Sequence, residues 1–161
     1  FIPTVNSYKR INAPVTDSCA TWSPNTITYS DNNRTHMIRV PGSGRFELRL
    51  MDGATNPYLL QAGIIAAGID GIDNNRNPGK PSFLNMYAEA HKAKNAKKLP
   101  KNLETALSHL SKSKVMNKAF SKETINSYVK LRSLDIKDFK KSKDSKKKGI
   151  TEWEKLNTLD C

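Results

Sequence analysis

The residues best suited to chemistry lie in one short alternating stretch, residues 45–50 (RFELRL). Side chains of a β-strand alternate between two faces, so Arg45, Glu47 and Arg49 would share one face and the apolar residues the other. Arginine suits the planar recognition of phosphate and carboxylate, and a carboxylate is a hard oxygen ligand for Mg2+ or Mn2+. The stretch therefore predicts an anion and metal site. A solvated salt-bridge ladder on an ordinary half-exposed sheet is the competing interpretation.

The element that must position this charged face is a β-hairpin. Residues 35–40 (THMIRV) precede the alternating stretch, and residues 41–44 (PGSG) between them contain a proline and two glycines that can reverse the chain. Packing apolar residues opposite one another fixes the register. That register pairs Val40 with Phe46, Ile38 with Leu48 and Arg39 with Glu47. We expect Arg39 to join the charged face.

The remaining elements are helices. Asn56 and Pro57 are a strong helix start, because asparagine caps and proline suits the first helical position. Residues 58–72 are apolar nearly all round, which predicts a buried helix behind Phe46, Leu48 and Leu50. Two covering helices are predicted, from Asn102 to Leu110 and from Ser121 to about Phe139. Together these elements predict an α+β fold.

Several blocks resemble the C-terminal part of the catalytic domain of glutamine synthetases in order and nearly in spacing. They are NSYKR at 6–10, NRT at 33–35, RVP at 39–41, RFELR at 45–49, NPYL at 56–59 and AGIDGI at 67–72. Residues 102–107 and 120–132 are similar to the helical tail of that family. The sequences RINAP at 10–14, WSPN at 22–25 and NRTHM at 33–37 look closest to the type III, or glutamine-synthetase-like, branch, which includes γ-glutamylmethylamide synthetases.

The resemblance implies a cleft in which ATP and glutamate meet between Mg2+ or Mn2+ ions, with Glu47 as a metal ligand. Each arginine of the matching blocks then has an implied role. Arg39 and Arg45 would face the ATP phosphates, Arg34 and Arg49 would act on the transferring phosphoryl group and bind glutamate, and Arg10 would hold the glutamate carboxylate.

The activity implied by the resemblance is ATP-dependent formation of glutamine through γ-glutamyl phosphate, in a cytoplasmic enzyme that assembles as rings of subunits. A γ-glutamylmethylamide synthetase, or a ligase for another small amine, is the alternative enzyme. A degenerate regulatory member is disfavoured because the arginine and glutamate positions are all filled. Tyr87 falls where some bacterial members are adenylylated, but the residues that follow it differ, so a structural tyrosine is favoured.

One loop departs from the family pattern. Residues 11–33 are longer than the usual flap and contain Asp17 but no glutamate, although typical members use a flap glutamate to deprotonate ammonium. The loop also carries Trp22, so we expect a roomier, more apolar acceptor pocket that admits methylamine alongside ammonia.

The charge of the chain is uneven. Its net charge is +12, of which residues 1–90 contribute +1 and residues 91–161 contribute +11. We therefore divide the chain into residues 1–136, the catalytic-domain part, and residues 137–161, a lysine-rich segment. A basic module that binds nucleic acid is the alternative from another class. It is disfavoured because no nucleic-acid motif is recognised in the segment, and a solvated segment explains the lysines.

The start of the chain predicts that it is part of a longer protein. The chain begins at Phe1 rather than methionine, and no signal peptide or membrane span is recognisable, so we expect the C-terminal piece of a longer cytosolic protein. Cys19 and Cys161 have no metal-ligand spacing.

Because Glu47 is the single metal ligand that can be placed, we expect the isolated chain to be inactive.

Overall fold

A computed structural model of the chain describes residues 1, 3–5, 7–11, 23–147 and 151–158, with the backbone alone at residues 10 and 11. The chain forms two compact units. The helical unit contains residues 1–8, 52–78 and 102–161, and the sheet unit contains residues 9–51 and 79–101. Short strands combined with helices confirm the predicted α+β class. No helix among the described residues is both long enough and apolar enough to cross a bilayer.

The sheet unit is built on three short strands, β1 (Tyr29–Ser30), β2 (Ile38–Gly42) and β3 (Arg45–Leu48). Strand β2 lies in the centre, parallel to β1 and antiparallel to β3. The predicted hairpin is therefore confirmed. Its loop consists of Ser43 and Gly44, and Gly44 has a φ of 79°, a conformation that glycine adopts without strain.

The predicted register is correct at two pairs and wrong at the third. Ile38 pairs with Leu48 and Arg39 with Glu47, as expected. Val40 does not pair with Phe46, because the ladder is irregular beyond Arg39 and resumes where Gly42 pairs with Arg45. Two β2 residues, Val40 and Pro41, thus oppose one residue of β3, as in a β-bulge. Proline has no N–H to donate, so a regular ladder is disfavoured at that point.

Residues 79–101 close the sheet unit by pairing with the segment around β1. Backbone hydrogen bonds run from Ser82 N to Tyr29 O at 2.9 Å and from Ile27 N to Lys97 O at 2.8 Å. His36 is fully buried between the two segments. One ring nitrogen, Nε2, lies 2.9 Å from Leu84 O, and the other, Nδ1, lies 2.9 Å from Thr28 Oγ1. These contacts hold the residues just before β2, the strand that carries Arg39, against other segments of the sheet unit.

Helices make up most of the rest of the described chain. They are α1 (Ser7–Ile11), α2 (Pro57–Asp73), α3 (Leu103–Lys112), α4 (Lys114–Phe120), α5 (Lys122–Lys141) and α6 (Glu152–Thr158), with a 3-10 turn at Ala90–Lys92. The predicted caps are confirmed: Asn56 accepts from Leu59 N at 3.1 Å and Asn102 from Thr105 N at 2.8 Å. Ser121 Oγ accepts from Thr124 N at 3.3 Å. Helix α5 runs across residue 136, and the division of the chain at that residue stays a prediction.

The core of the helical unit forms where α3 packs against α5. Leu103, Leu107 and Leu110 are buried on one face of α3, at the spacing of a helical stripe, and Ile125 of α5 is 1% exposed. The ring of Phe1 makes edge contacts with two aromatic side chains, at centroid distances of 5.1 Å to Phe120 and 5.5 Å to Tyr128.

Helix α2 differs from the expectation of a buried helix. Among its described residues Gly63 alone is buried, whereas Tyr58 is 82% exposed and Ile72 is 77% exposed. A helix that is apolar all round needs partners on every side, and in this chain α2 packs against α4. Phe46, also expected to be buried, is 58% exposed.

Candidate functional site

Three charged side chains form a cluster on one face of the hairpin, which we call the arginine face. Arg39 Nη1 donates to Glu47 Oε2 at 2.6 Å, and Arg49 Nε donates to Glu47 Oε1 at 3.1 Å. The sequence builds this cluster in two ways. Alternation along the chain puts Glu47 and Arg49 on one side, and the register of β2 with β3 brings Arg39 across to them.

The arginine face carries excess positive charge, because two guanidinium groups share one carboxylate. The hydrogen bond from Arg39, and then the one from Arg49, hold the pKa of Glu47 below its ordinary value, so Glu47 is ionised at neutral pH. Both arginines are more buried than the carboxylate: their side chains are 14% and 23% exposed, against 44% for Glu47. Burial strengthens the field that an approaching anion would meet.

Arg49 has one hydrogen-bond donor atom, Nη1, that Glu47 does not use. Its Nη1 atom is buried and has no hydrogen-bond partner within the described part of the chain. A buried, unpaired guanidinium N–H is energetically unfavourable, and a bound carboxylate or phosphate oxygen would satisfy it. The cluster can therefore bind an anion in addition to Glu47.

The other predicted site residues lie as follows. Arg45 is exposed at the start of β3, and strand alternation places it on the side of Glu47, without an ion pair among the described residues. Arg34 is also exposed, in a turn fixed by its neighbours: Asn33 Nδ2 donates to Leu84 O at 3.1 Å, and Thr35 Oγ1 donates to Asn33 Oδ1 at 2.8 Å. The side chain of Arg10 lies outside the described residues, as do Asp17 and Trp22 of the unusual loop.

The arginine face offers a metal ion the carboxylate of Glu47. The described residues contain no group of three His, Cys, Asp or Glu side chains able to hold an ion. At sites of phosphoryl transfer, Mg2+ is usually bound by one or two carboxylates together with substrate phosphates and water. Glu47 fits as a contributor to a metal site but not as the whole of one.

Sequence reasoning missed one polar residue at the arginine face. Asn32 Oδ1 accepts from Arg39 Nε at 2.9 Å and also from Arg39 Nη2. Asn32 lies in a turn rich in Asp and Asn, a composition that signals a turn but not a particular side-chain contact.

Known proteins resemble this chain over nearly its whole length. Residues 1–154 match the family described as glutamine synthetase, catalytic domain. A glutamine synthetase of Rhizobium leguminosarum bv. phaseoli is 52% identical over 158 residues, covering 98% of this chain and 35% of the relative. A glutamate–methylamine ligase of Methyloversatilis universalis is 39% identical over 161 residues, covering 98% of this chain and 34% of that protein.

A solved structure described as a GmaS/ADP complex superimposes with a TM-score of 0.81 and 49% identity, covering 99% of this chain and 35% of that one. The chain thus spans about a third of the length of the relatives it matches. With a match to the family over residues 1–154 and the fold shared with solved relatives, the chain belongs to the glutamine synthetase family.

Proposed function

We propose that this chain supplies part of the active site of an ATP-dependent ligase that converts glutamate and ammonia to glutamine. One observation carries the proposal: Arg39, Glu47 and Arg49 form one cluster with an unpaired buried donor, in a chain of the glutamine synthetase family. In the reaction, a γ-carboxylate oxygen of glutamate attacks the γ-phosphorus of ATP, and the bond to the ADP oxygen breaks. Ammonia then forms the C–N bond, phosphate leaves and a proton is lost.

The chemistry explains why arginines dominate the site. Phosphoryl transfer asks little covalent chemistry of the protein, but it needs fixed positive charge between anions that would otherwise repel each other. We assign Arg39 and Arg45 to the ATP phosphates and Arg49, through its unpaired Nη1, to glutamate and the transferring phosphoryl group. Arg34 is assigned to the phosphoryl group and glutamate, and Arg10 to the glutamate carboxylate.

Glu47 is assigned as one ligand of an Mg2+ or Mn2+ ion, which would offset phosphate charge when bound. Because the described residues contain no group of three His, Cys, Asp or Glu side chains able to hold an ion, we expect the isolated chain to release no phosphate from ATP. Assembly of the complete enzyme into rings of subunits, and its cytoplasmic location, stay predictions.

A chimera tests the proposal. This chain would replace the matching 35% of the R. leguminosarum relative, and phosphate release would be measured with ATP, glutamate and ammonium, omitting each in turn. We expect release that requires all three. A chimera of the same assembly size and thermal stability as the relative, yet without release, would contradict the proposal.

A second acceptor is favoured by the relatives. The GmaS structure and the methylamine ligase resemble this chain over nearly its whole length, as the glutamine synthetases do. We propose that methylamine is accepted alongside ammonia, because burial of a methyl group contributes roughly 1 kcal/mol, about tenfold in selectivity. The chimera would be assayed with each amine, with kcat/KM corrected for the free-amine fraction. A methylamine value below about a thousandth of the ammonia value would leave ammonia as the sole acceptor.

The lysine-rich segment gives the nucleic-acid alternative no added support. Lys140 pairs with Glu104 at 2.8 Å and Lys147 with Asp144 at 2.5 Å, so two of its cations already have carboxylate partners. Gel shifts at increasing salt, with and without residues 137–148, would detect binding to nucleic acid through this segment.

A further inference from the structure

The guanidinium group of Arg39 is held by hydrogen bonds on two sides. Glu47 accepts from Nη1, whereas Asn32 Oδ1 accepts from both Nε and Nη2. A guanidinium group has five N–H bonds, so these contacts leave one N–H on each Nη atom. Asn32 therefore fixes the plane of the group without using the N–H pair that remains.

The turn that carries Asn32 is itself tied down. The carbonyl of Asp31 accepts from Asn33 N at 2.8 Å and from Val40 N at 3.1 Å. The second of these bonds joins the turn to the residue after Arg39, so the turn and the arginine belong to one hydrogen-bonded frame. Asn32 is thus placed by the backbone and does not depend on a ligand for its position.

Asn32 is uncharged, and this determines how much positive charge Arg39 keeps for a bound anion. A carboxylate at this position would hold Arg39 equally well but would cancel its charge, as Glu47 already does in part. An amide oxygen orients the guanidinium while leaving its net charge for a bound anion. Orientation before binding raises affinity because less freedom is lost when the anion arrives.

We infer that Asn32 is a positioning residue that presents the free N–H groups of Arg39 to a phosphate group of a nucleoside triphosphate. The inference rests on the proposed function, since Arg39 is assigned there to the ATP phosphates. It adds a residue that touches no substrate, and it adds the requirement that this residue be uncharged.

The first test follows the hydrogen bond itself, in the 161-residue chain. In Asn32→Ala, hydrogen exchange of Arg39 Nε–H, followed by 15N NMR, should accelerate roughly tenfold, because its acceptor is gone. Asn32→Asp should keep it slow. Asn74→Ala is the matched control, since Asn74 is an exposed asparagine that bonds locally to Asp70 O at 2.9 Å. Unchanged exchange in Asn32→Ala would overturn the inference.

The second test follows ATP in the chimera. Asn32→Ala should raise KM for ATP roughly tenfold with little change in KM for glutamate, and Asn32→Asp should raise it further because the added charge repels phosphate. Loss of folding would instead lower kcat for all substrates alike and shift the thermal melt. If Arg39→Lys raises KM for ATP and Asn32→Ala does not, positioning by Asn32 is wrong while the proposed function stands. If neither variant changes KM, the phosphate role of Arg39 fails and the inference fails with it.

Discussion

The hairpin and helix α2 are the two most patterned regions of the chain, and they turned out differently. In the hairpin, two predicted pairs and the shared charged face are present. In α2 the predicted start and cap are present, but the predicted burial is not. Strand pairing and capping are decided by nearby residues, whereas burial depends on everything else that surrounds the helix. The apolar surface of α2 therefore stays largely exposed, because the described residues of this chain do not cover it.

The largest effect should come from the hairpin. In the chimera, Glu47→Gln keeps the size of the side chain but removes the charge that a metal ion needs, so kcat should fall at least about 100-fold. Glu104→Gln is the control, because Glu104 is an exposed carboxylate of the helical unit that is paired with Lys140. Phosphate release would be measured for both variants. Equal activity in the two variants would return Glu47 to the role of a simple salt-bridge partner.

A matched pair of isoleucines sharpens the contrast between buried and exposed helices. Ile125→Ala, at a side chain that is 1% exposed, should lower the free energy of unfolding by about 2–5 kcal/mol. Ile69→Ala, in α2 and 52% exposed, should change it by less than about 0.5 kcal/mol. Urea unfolding of the 161-residue chain would measure both. A large loss in Ile69→Ala would mean that α2 is buried after all.

The turn of the hairpin offers a smaller test. Gly44 has a φ of 79°, so Gly44→Ala should lower the free energy of unfolding by about 1 kcal/mol through backbone strain alone, since an added Cβ meets open space. Gly53 is equally open but has no such φ, so Gly53→Ala should be neutral or slightly stabilising. Thermal melts of the two variants would compare them. No difference would contradict the loop of Ser43 and Gly44.

The pH dependence of the sheet unit should be smaller still. Burial lowers the pKa of His36 below its ordinary 6.5, despite the opposing bond to Leu84 O. Below about pH 6.5 the unfolded chain therefore takes up a proton that the folded chain resists, so stability is lost as pH falls. His36→Gln should flatten this slope between pH 6.5 and 5, above the range in which Glu47 titrates. Urea unfolding at several pH values would measure it, and an unchanged slope would assign the effect to another group.

What the sequence could predict follows from how local each feature is. Alternation and apolar pairing were enough for Arg39, Glu47 and Arg49, and side-chain caps were enough for the starts of α2, α3 and α5. Helix α6 was missed although its signal was present: Thr151 Oγ1 accepts from Glu154 N at 3.3 Å, and Thr151 N donates to Glu154 Oε2 at 2.7 Å. That reciprocal pair is a capping box.

Other features had a weaker local signal or none. The bulge at Val40 and Pro41 is signalled by the proline, which has no N–H for the ladder, but its position depends on the register of β2 with β3. The contact of Asn32 with Arg39 joins a turn to a strand seven positions later, and the burial of His36 depends on a partner at Leu84. Such contacts are decided by the tertiary fold, which residue types and spacing alone do not specify.

The central claim is that the arginine face binds the phosphates of ATP, and a titration tests it most directly. The 15N-labelled chain would be titrated with ATP at low ionic strength while the arginine Nε–H signals and the backbone amide signals are followed. We predict that the signals of Arg39, Arg45 and Arg49 shift, and that Arg76, paired with Asp70 on the helical unit, stays in place as an internal control. Shifts confined to the lysine-rich segment, with the three hairpin arginines unmoved, would contradict the claim and make the arginine face a surface salt-bridge ladder.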